Sequence, residues 1–191
     1  MPEQPHPVAD VRTISTAELT SAEVAAIRSL LWAAFERPDE PDEAFTEDDW
    51  QHALGGAHVV VEVDGEIVAH AAVVERPIEF GGRRLRTGYV EAVATHPDFQ
   101  GRGYGRLAMR AANDIVARDF EIGMLGTGEH GFYERLGWSS WRGRSYLRMD
   151  GGLVATPDDD GYLMILRTLG TPPNLDLEAA VSCDARPGDV W

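Results

Sequence analysis

The spacing of hydrophobic and polar positions changes period twice along the chain. From Thr20 to Phe35, apolar residues recur at helical spacing. After Gly55-Gly56 the period changes, and strands are predicted between His58 and Thr95, where Asp64-Gly65 and Gly81-Gly82 are hairpin turn signals. Helical spacing returns between Tyr104 and Arg118. The pattern therefore predicts a set of antiparallel hairpins between two amphipathic helices.

The remaining elements follow from the same reasoning, and the chain shows no internal repeat or linker. Residues 1–9 are rich in proline and patternless, so we expect disorder there and a single domain over residues 10–191. In chain order we predict strands at Val11–Ser15, His58–Val63, Glu66–Glu75, Arg83–Thr95, Phe120–Leu125, Trp138–Met149 and Tyr162–Leu166, with helices at Thr20–Phe35, just after Thr46, at Tyr104–Arg118 and at about Glu129–Leu136.

The stretch from Val90 to Gly105 joins the last hairpin strand to the next helix and carries the clearest candidate chemistry. Gly101, Gly103 and Gly105 allow positive φ angles and a close approach of the backbone to a ligand. Such a loop can aim the free N–H groups of a helix start at an anion. No Gly-Lys-Ser/Thr follows, and the acid that a dinucleotide fold requires is misplaced. The loop predicts a phosphate-binding corner that is neither a P-loop nor a dinucleotide fingerprint.

Charge narrows the choice of partner. The chain has 32 acidic residues against 17 basic ones, all of them arginine, which gives a formal charge of −15. This balance argues against nucleic acid and against an anionic membrane as partners. It favours a polycationic ligand, although the same charge is also explained by solubility alone.

Few other features carry chemistry. The only cysteine, Cys183, excludes an internal disulfide, and the six histidines lack metal-ligand spacing, so we expect no metal. No run approaches the roughly 18 apolar residues that a membrane span needs, and the first residues do not resemble a signal peptide. We expect a cytoplasmic protein.

The loop itself resembles that of a known superfamily. Gln100-x-x-Gly103-x-Gly105 is similar to the acetyl-CoA pyrophosphate loop of the GCN5-related N-acetyltransferases (GNAT). The order of the predicted elements matches that fold over roughly residues 10–168. The resemblance implies an α/β (α+β) architecture with a mixed, mostly antiparallel central sheet of about seven strands, flanked by about four helices. It also implies acetyl-CoA as the co-substrate.

Separated blocks narrow the resemblance to the aminoglycoside 2′-N-acetyltransferases. They are Asp48-Asp49-Trp50-x-His52-x-Leu54-Gly55-Gly56-x-His58, Ile67–Val73, Gly88-Tyr89-Val90-Glu91-x-Val93-Ala94, Thr156–Gly161 and Cys183-Asp184-x-Arg186-x-Gly188-Asp189-Val190-Trp191. Departures from the family pattern are Ala44, where the family has a further acid, and Gly126, where it has a serine. These departures bear on sugar selectivity more than on acetyl transfer.

Two residues are candidate catalysts. Glu91 lies mid-strand among apolar residues, an expensive place for an unpaired carboxylate. The resemblance implies that Glu91 deprotonates the substrate amine, directly or through water, whereas an ion pair with Arg83, Arg84 or Arg86 would give it a structural role. Tyr133 occupies the position where the superfamily keeps a tyrosine beside the thioester sulfur, and a phenol can return a proton to a departing thiolate. A core tyrosine is the alternative.

The resemblance also implies the binding residues. Acetyl-CoA would be bound by the backbone of the central strand and by the glycine loop, at Ala92, Val93, Ala94, Gln100, Gly101, Arg102, Gly103, Tyr104, Gly105 and Arg106. The aminosugar would be bound at Asp49, Glu91, Gly126, Asp159, Asp189 and Trp191, whose terminal carboxylate and aromatic face suit a cation.

The predicted function is direct transfer of acetyl from acetyl-CoA to the 2′-amine of a cationic aminoglycoside in a ternary complex. The alternatives are the same chemistry on another cationic amine metabolite or polyamine, and a non-catalytic acyl-CoA-binding sensor. Exposed strands near the C-terminus would allow a homodimer.

Overall fold

The fold is taken from a computed structural model that describes residues 9–36, 39 and 44–191. The disorder predicted for residues 1–9 falls, apart from Ala9, outside the described residues. The strands are β1 (Asp10–Ser15), β2 (Ala57–Val63), β3 (Glu66–Phe80), β4 (Arg83–Thr95), β5 (Ile122–Gly126), β6 (Ser139–Ser140), β7 (Ser145–Met149), β8 (Gly152–Ala155), β9 (Leu163–Arg167) and β10 (Val181–Asp184). The helices of the described residues are α1 (Ser21–Ala34), α2 (Glu47–His52), α3 (Tyr104–Asp119) and α4 (His130–Glu134), with single 3₁₀ turns between some elements.

All ten strands belong to one sheet. Strands β1, β2, β3, β4, β5, β9 and β6 follow one another across it, and β10, β7 and β8 extend it from the second half of β3. The pairs β4–β5 and β10–β7 are parallel, while the others are antiparallel. The predicted fold class is therefore confirmed.

The strand count exceeds the expected number of about seven for three reasons. The single strand predicted at Trp138–Met149 is divided into β6 and β7. Strands β8 and β10 were not predicted. Both are only four residues long and lie in stretches rich in glycine, proline and acids, so their pairing depends on distant partners rather than on local pattern.

The two predicted hairpins are confirmed by their backbone angles. At the β2–β3 turn, φ is +52° at Asp64 and +82° at Gly65, and at the β3–β4 turn φ is +57° at Gly81 and +80° at Gly82. Two consecutive positive φ angles match the right-handed twist of the strands they join. Thus β3 and β4 run together from this turn to the far end of the sheet.

Helices cover both faces of the hairpin strands. On β2, Val59, Val61 and Val63 point into the cluster that packs beneath α3, while Val60 points into the cluster formed with α1 and α2. This is why β2 reads as a nearly continuous apolar run rather than as alternation. Among the described helices, none is long and apolar enough to span a membrane.

Two histidines lie inside this core. His58 on β2 and His70 on β3 are both fully buried, and Nδ1 of His58 lies 3.0 Å from Nε2 of His70. Burial lowers the pKa of His58 to about 4. Burial and the neighbouring His58 lower the pKa of His70 to about 3. Both rings are therefore neutral in the folded protein at neutral pH.

This burial makes the stability depend on pH. In the unfolded chain the histidine side chain has a pKa of about 6.5. Below that pH the unfolded chain therefore binds more protons than the folded chain. We expect the free energy of unfolding in urea to fall as the pH is lowered from 7 to 5, by at most about 1.4 kcal/mol per pH unit for each histidine. The double variant His58→Gln/His70→Gln should show a flatter profile. An unchanged slope in that variant would contradict this explanation.

Candidate active site

The sheet opens between β4 and β5. These two strands pair only from Thr87 to Tyr89, opposite Ile122 to Met124, and then diverge. A cavity of about 980 Å³ fills the opening. It is lined by Phe35, Tyr89, Val90, Glu91, Ala92, Val93, Ala94, Thr95, Phe99, Gln100, Gly101, Gly103, Tyr104, Gly105, Arg106, Arg110, Leu125, Gly126, Thr127, Gly128, Glu129, Phe132, Tyr133, Arg135, Leu136 and Trp191. A volume of this size suits a large elongated ligand.

The glycine loop forms one wall of the cavity and leads directly into α3. Gly101 and Gly103 have φ angles of +74° and +87°, as predicted. The prediction was wrong for Gly105, which is not in the positive-φ region. A Cβ atom there would lie 2.8 Å from Oγ1 of Thr95, so a glycine is required by close packing between α3 and β4.

The start of α3 has the features of an anion site. The first N–H groups of a helix have no partner inside it, and Leu107 is the first residue that bonds back, to the carbonyl of Gly103. Arg106, Arg110 and Arg135 also line the cavity. Arg102 does not line it, and its guanidinium lies 5.2 Å from the ring centroid of Phe99. The wall therefore combines a helix dipole with arginine side chains.

The end of β4 contains a bulge next to the cavity. His70 pairs with Ala94 and Ala72 pairs with Glu91, so β4 has one more residue than β3 in this interval. Ala92 adopts a φ of +50°, which is unusual for a residue with a Cβ atom. Beyond Tyr89 the edge of β4 that would face β5 is no longer paired to it. Backbone groups there are available to a ligand that runs along the strand.

Glu91 is half-buried at the bulge and forms an ion pair that was not predicted. Nη1 of Arg186 donates to Oε1 of Glu91 at 2.6 Å, and the two side chains are only 14% and 15% exposed. Two of the three expected partners are engaged elsewhere, since Arg84 pairs with Glu79 and Arg86 pairs with Glu75. Glu91 thus lines the cavity, and its side chain is bound by Arg186 of the C-terminal segment.

Tyr133 lies across the cavity on α4, where it packs against Phe132 and Trp138. Its side chain is 8% exposed. Burial, and then the carboxylate of Glu129, raise the pKa of the Tyr133 phenol above its ordinary value. The phenol therefore keeps its proton at neutral pH and is available as a donor.

The last residues of the chain close one side of the cavity. The carbonyl of Val190 accepts from Nη2 of Arg76 at 2.9 Å, and the carbonyl of Asp189 accepts from Nε of Arg186 at 2.7 Å. The indole N–H of Trp191 donates to Oγ1 of Thr156 at 3.1 Å. Its terminal carbonyl carbon lies 3.5 Å from where a Cβ atom on Gly126 would be. Trp191 is therefore fixed beside Gly126 at the cavity.

The three predicted substrate-binding aspartates lie outside the cavity lining. Asp49 accepts from the backbone N–H and the hydroxyl of Thr46, each at 2.7 Å, and so caps α2. Burial raises the pKa of Asp159, and the nearby carboxylate of Asp189 adds to this shift. The carboxylates of Asp159 and Asp189 therefore form an acidic region that would favour a cation.

His52 shows how near these groups are to Glu91. Its Nε2 atom lies 2.7 Å from the carbonyl oxygen of Pro187, so α2 is docked on the C-terminal segment. Burial and then Arg186 lower the pKa of His52, while Glu91 and Asp49 act in the opposite direction. Asp49 on α2 and Glu91, the candidate base on β4, therefore both lie near His52.

Arg186 and Tyr89 are two of the residues of this site that sequence reasoning missed. Both were inside the matched blocks, but nothing in their spacing gave them a role. Tyr89 is 1% exposed, lines the cavity and has a hydroxyl with no hydrogen-bond partner in the described structure. The guanidinium of Arg76 lies 4.6 Å from the Tyr89 ring centroid. A buried, unpaired hydroxyl at a cavity is a polar group that a ligand or water would satisfy.

Comparisons with known proteins agree with this geometry. Residues 15–140 match the family model described as acetyltransferase (GNAT) domain. The chain is 35% identical over 184 residues to an aminoglycoside 2′-N-acetyltransferase from Mycolicibacterium fortuitum, covering 94% of this chain and 91% of that one.

Solved structures give the same fold. A GNAT family N-acetyltransferase from Escherichia coli, solved in complex with CoA, matches 95% of this chain and 92% of its own, with a TM-score of 0.65 and 16% identity. A GCN5-related N-acetyltransferase from Kribbella flavida matches 71% of this chain with a TM-score of 0.56 and 22% identity. The present chain spans about a third of that protein, covering 34% of its length.

Proposed function

The chain belongs to the GNAT acetyltransferase family, and on this premise we propose that it transfers acetyl from acetyl-CoA to the 2′-amine of aminoglycosides. The observation that carries the proposal is the cavity between β4 and β5, which places Glu91, Tyr133 and Trp191 around one opening. The relative from Mycolicibacterium fortuitum supports the choice of substrate, because the similarity extends over nearly the whole of both chains.

Acetyl-CoA is the co-substrate, and it supplies the acetyl group as a thioester. In the proposed binding mode, the N–H groups at Gly103, Tyr104 and Gly105 hold the pyrophosphate, with Arg106 adding positive charge. The unpaired edge of Ala92–Ala94 would bond to the pantetheine arm as a neighbouring strand would. The side chain of Arg102 faces Phe99, so we propose only a backbone contribution there.

The proposed mechanism uses the two candidate catalysts on opposite sides of the cavity. Glu91 accepts a proton from the acceptor amine, directly or through water, so that the nitrogen lone pair is free to attack. Backbone N–H groups at the bulge would polarise the acetyl carbonyl. As the carbon–sulfur bond breaks, Tyr133 gives its proton to the departing sulfur. Burial supports this role because it keeps the phenol protonated until that step.

The acids near the cavity would favour a polycationic substrate. Burial, with the nearby Asp189 carboxylate, raises the pKa of Asp159, and a bound ammonium group would favour the charged form of Asp159. The Trp191 indole would contact the sugar ring beside Gly126, and Asp49 would face a more distant amine. In the free protein Arg186 holds Glu91, so a cationic amine that approaches Glu91 competes with that ion pair.

A matched pair of substrates tests this proposal. Kanamycin B has an amine at the 2′ carbon, whereas kanamycin A has a hydroxyl there. We expect the purified protein to release CoA thiol from acetyl-CoA with kanamycin B, tobramycin and gentamicin, but not with kanamycin A. Equal release with kanamycin A would contradict the 2′ assignment. Thiol release with spermidine and with none of the aminoglycosides would indicate a polyamine substrate. Binding of acetyl-CoA without thiol release in the presence of any of these amines would favour the non-catalytic sensor.

Assembly and location remain predictions from the sequence. At the end of the sheet, Met149, Leu153 and Val154 on β7 and β8 are each more than half exposed, with values of 52%, 57% and 52%. This edge would bury apolar surface in the predicted homodimer.

A further inference from the structure

The buried histidine pair is a cluster of polar groups in the core that the mechanism above does not use. His58 and His70 lie on the face of the sheet that packs against α1 and α2, where their neighbours are apolar. Burying polar groups costs free energy unless each is hydrogen-bonded. Each of the four ring nitrogens of His58 and His70 has a hydrogen-bond partner. The bonds form a continuous series from Gly55 through Thr16 and the two histidines to Ala92.

For neutral rings, the last bond in this series fixes the direction of the others. Nδ1 of His70 lies 2.8 Å from the carbonyl oxygen of Ala92, which can only accept, so His70 carries its proton on Nδ1. Its Nε2 atom must then accept from Nδ1 of His58, at 3.0 Å. Nε2 of a neutral His58 in turn accepts from the hydroxyl of Thr16, at 2.9 Å, and lies closer to that hydroxyl than the other acceptor, the Gly56 carbonyl at 3.2 Å. The backbone N–H of Gly55 donates to the same hydroxyl at 2.9 Å.

We call these bonds from Gly55 through Thr16, His58 and His70 to Ala92 the histidine line. With both rings neutral, the line requires the proton on Nδ1 of each ring. A second proton on His70 would face the Nδ1–H of His58 rather than an acceptor. A second proton on His58 would force the Thr16 hydroxyl to turn from His58 to the Gly56 carbonyl, 3.2 Å away. The lowered pKa values of both rings agree with this arrangement.

The line ends at the one described non-glycine residue of β4 with a positive φ. Ala92 has a φ of +50° and forms the bulge that follows Glu91 directly. Backbone strain of this kind costs about 1–3 kcal/mol and persists only where the surroundings hold it. The His70 N–H bond to the Ala92 carbonyl is such a restraint, and it comes from a side chain that is buried in the core.

We propose that His70, supported by His58 and Thr16, is a positioning residue for acetyl transfer. By holding the Ala92 carbonyl it fixes the bulge, and the bulge presents the Glu91 carboxylate and the N–H groups of Ala92–Ala94 to the cavity. The inference deepens the proposed function and rests on it in one respect, the role of Glu91 as base. A misplacement of catalytic groups by about 1 Å can cost about 100-fold in rate.

Two substitutions at His70 separate positioning from packing. In His70→Asn the amide nitrogen takes the place of Nδ1, so the bond to Ala92 is kept and the contact with His58 is lost. In His70→Gln the amide reaches the place of Nε2, so the contact with His58 is kept and the bond to Ala92 is lost. Both variants remove ring volume and one bond, and we expect similar losses of melting temperature.

With kanamycin B as acceptor, we expect kcat to fall by about 10- to 100-fold in His70→Gln but much less in His70→Asn. The KM for acetyl-CoA should change little in either variant. A loss of kcat that is equal in the two variants would overturn the proposal, because it would show that His70 serves only the core. So would a loss that appears only in KM.

A second measurement tests the line without any acceptor. The nitrogen chemical shifts of the His70 and His58 rings at neutral pH should show a proton on Nδ1 and none on Nε2. The opposite tautomer at His70 would overturn the proposal even if the wild-type protein is active. Conversely, a wild-type protein that fails on aminoglycosides but shows the Nδ1–H tautomers would contradict the proposed substrate and leave the line intact.

Discussion

Replacing Glu91 by Gln is expected to lower kcat for acetyl transfer by about 10²- to 10⁴-fold, the usual contribution of a general base. The substitution keeps the size of the side chain and its acceptor toward Arg186, but removes the charge and basicity that take up the amine proton. Acetyl-CoA should still bind, because the glycine loop and α3 are unchanged. Thiol release with kanamycin B and calorimetry with acetyl-CoA measure the two effects separately.

Arg186 requires a control of its own, because Glu91→Gln leaves a half-buried guanidinium without its counter-charge. The double variant Glu91→Gln/Arg186→Gln restores the charge balance and should remain inactive. Glu75→Gln is the matched surface control, since Glu75 also pairs with an arginine but is 57% exposed and outside the cavity lining. Recovery of turnover in the double variant would show that the unpaired arginine, and not the missing base, caused the loss.

The second large effect is expected at Tyr133. Tyr133→Phe removes only the hydroxyl, and the ring can keep its contacts with Phe132 and Trp138. We expect kcat to fall by about 100-fold, at the lower end of the range for general acids, because a thiolate is a fair leaving group without assistance. The KM for the aminoglycoside should be unchanged.

Tyr146→Phe provides the comparison for this prediction. Tyr146 lies on β7, opposite Ala155 and outside the cavity lining, so its hydroxyl has no proposed part in the reaction. If Tyr133→Phe kept the full rate and lost only melting temperature, Tyr133 would be a core residue and the proton donor would have to be another group.

The parts of the fold that depend on neighbouring residues were predictable. The hairpin turns at Asp64-Gly65 and Gly81-Gly82 follow from local turn chemistry, and both are present. The capping box of Thr20 and Glu23 starts α1 one residue later, at Ser21. In each case the information lies within a few residues of the element, where side chains and backbone determine the structure directly.

The parts that depend on distant residues were not predictable from pattern. Arg186 meets Glu91 across 95 positions of sequence, and no spacing rule selects it over Arg83, Arg84 or Arg86. Strand β10 pairs with β3 and β7, although its own four residues give little strand signal. The family resemblance singled out Glu91, Tyr133 and Trp191, and all three line one cavity. It did not reveal the hydrogen bonds and ion pairs that hold them there.

The histidine line illustrates the same limit at the level of single atoms. His58 and His70 are separated by 12 positions and lie on two strands that the turn at Asp64-Gly65 brings together. Their proximity was therefore predictable from the hairpin. Their link to Ala92 was not, because the bulge in β4 changes the register between β3 and β4. An alternating pattern carries no sign of one extra residue.

The position of the acetyl group on the product tests the central claim most directly. Kanamycin B has several amines, and two-dimensional NMR of the product formed with acetyl-CoA identifies the one that is acetylated. We predict a single acetamide at the 2′ nitrogen. A product acetylated at any other amine would contradict the 2′ assignment, and with it the placement of the sugar between Glu91 and Trp191.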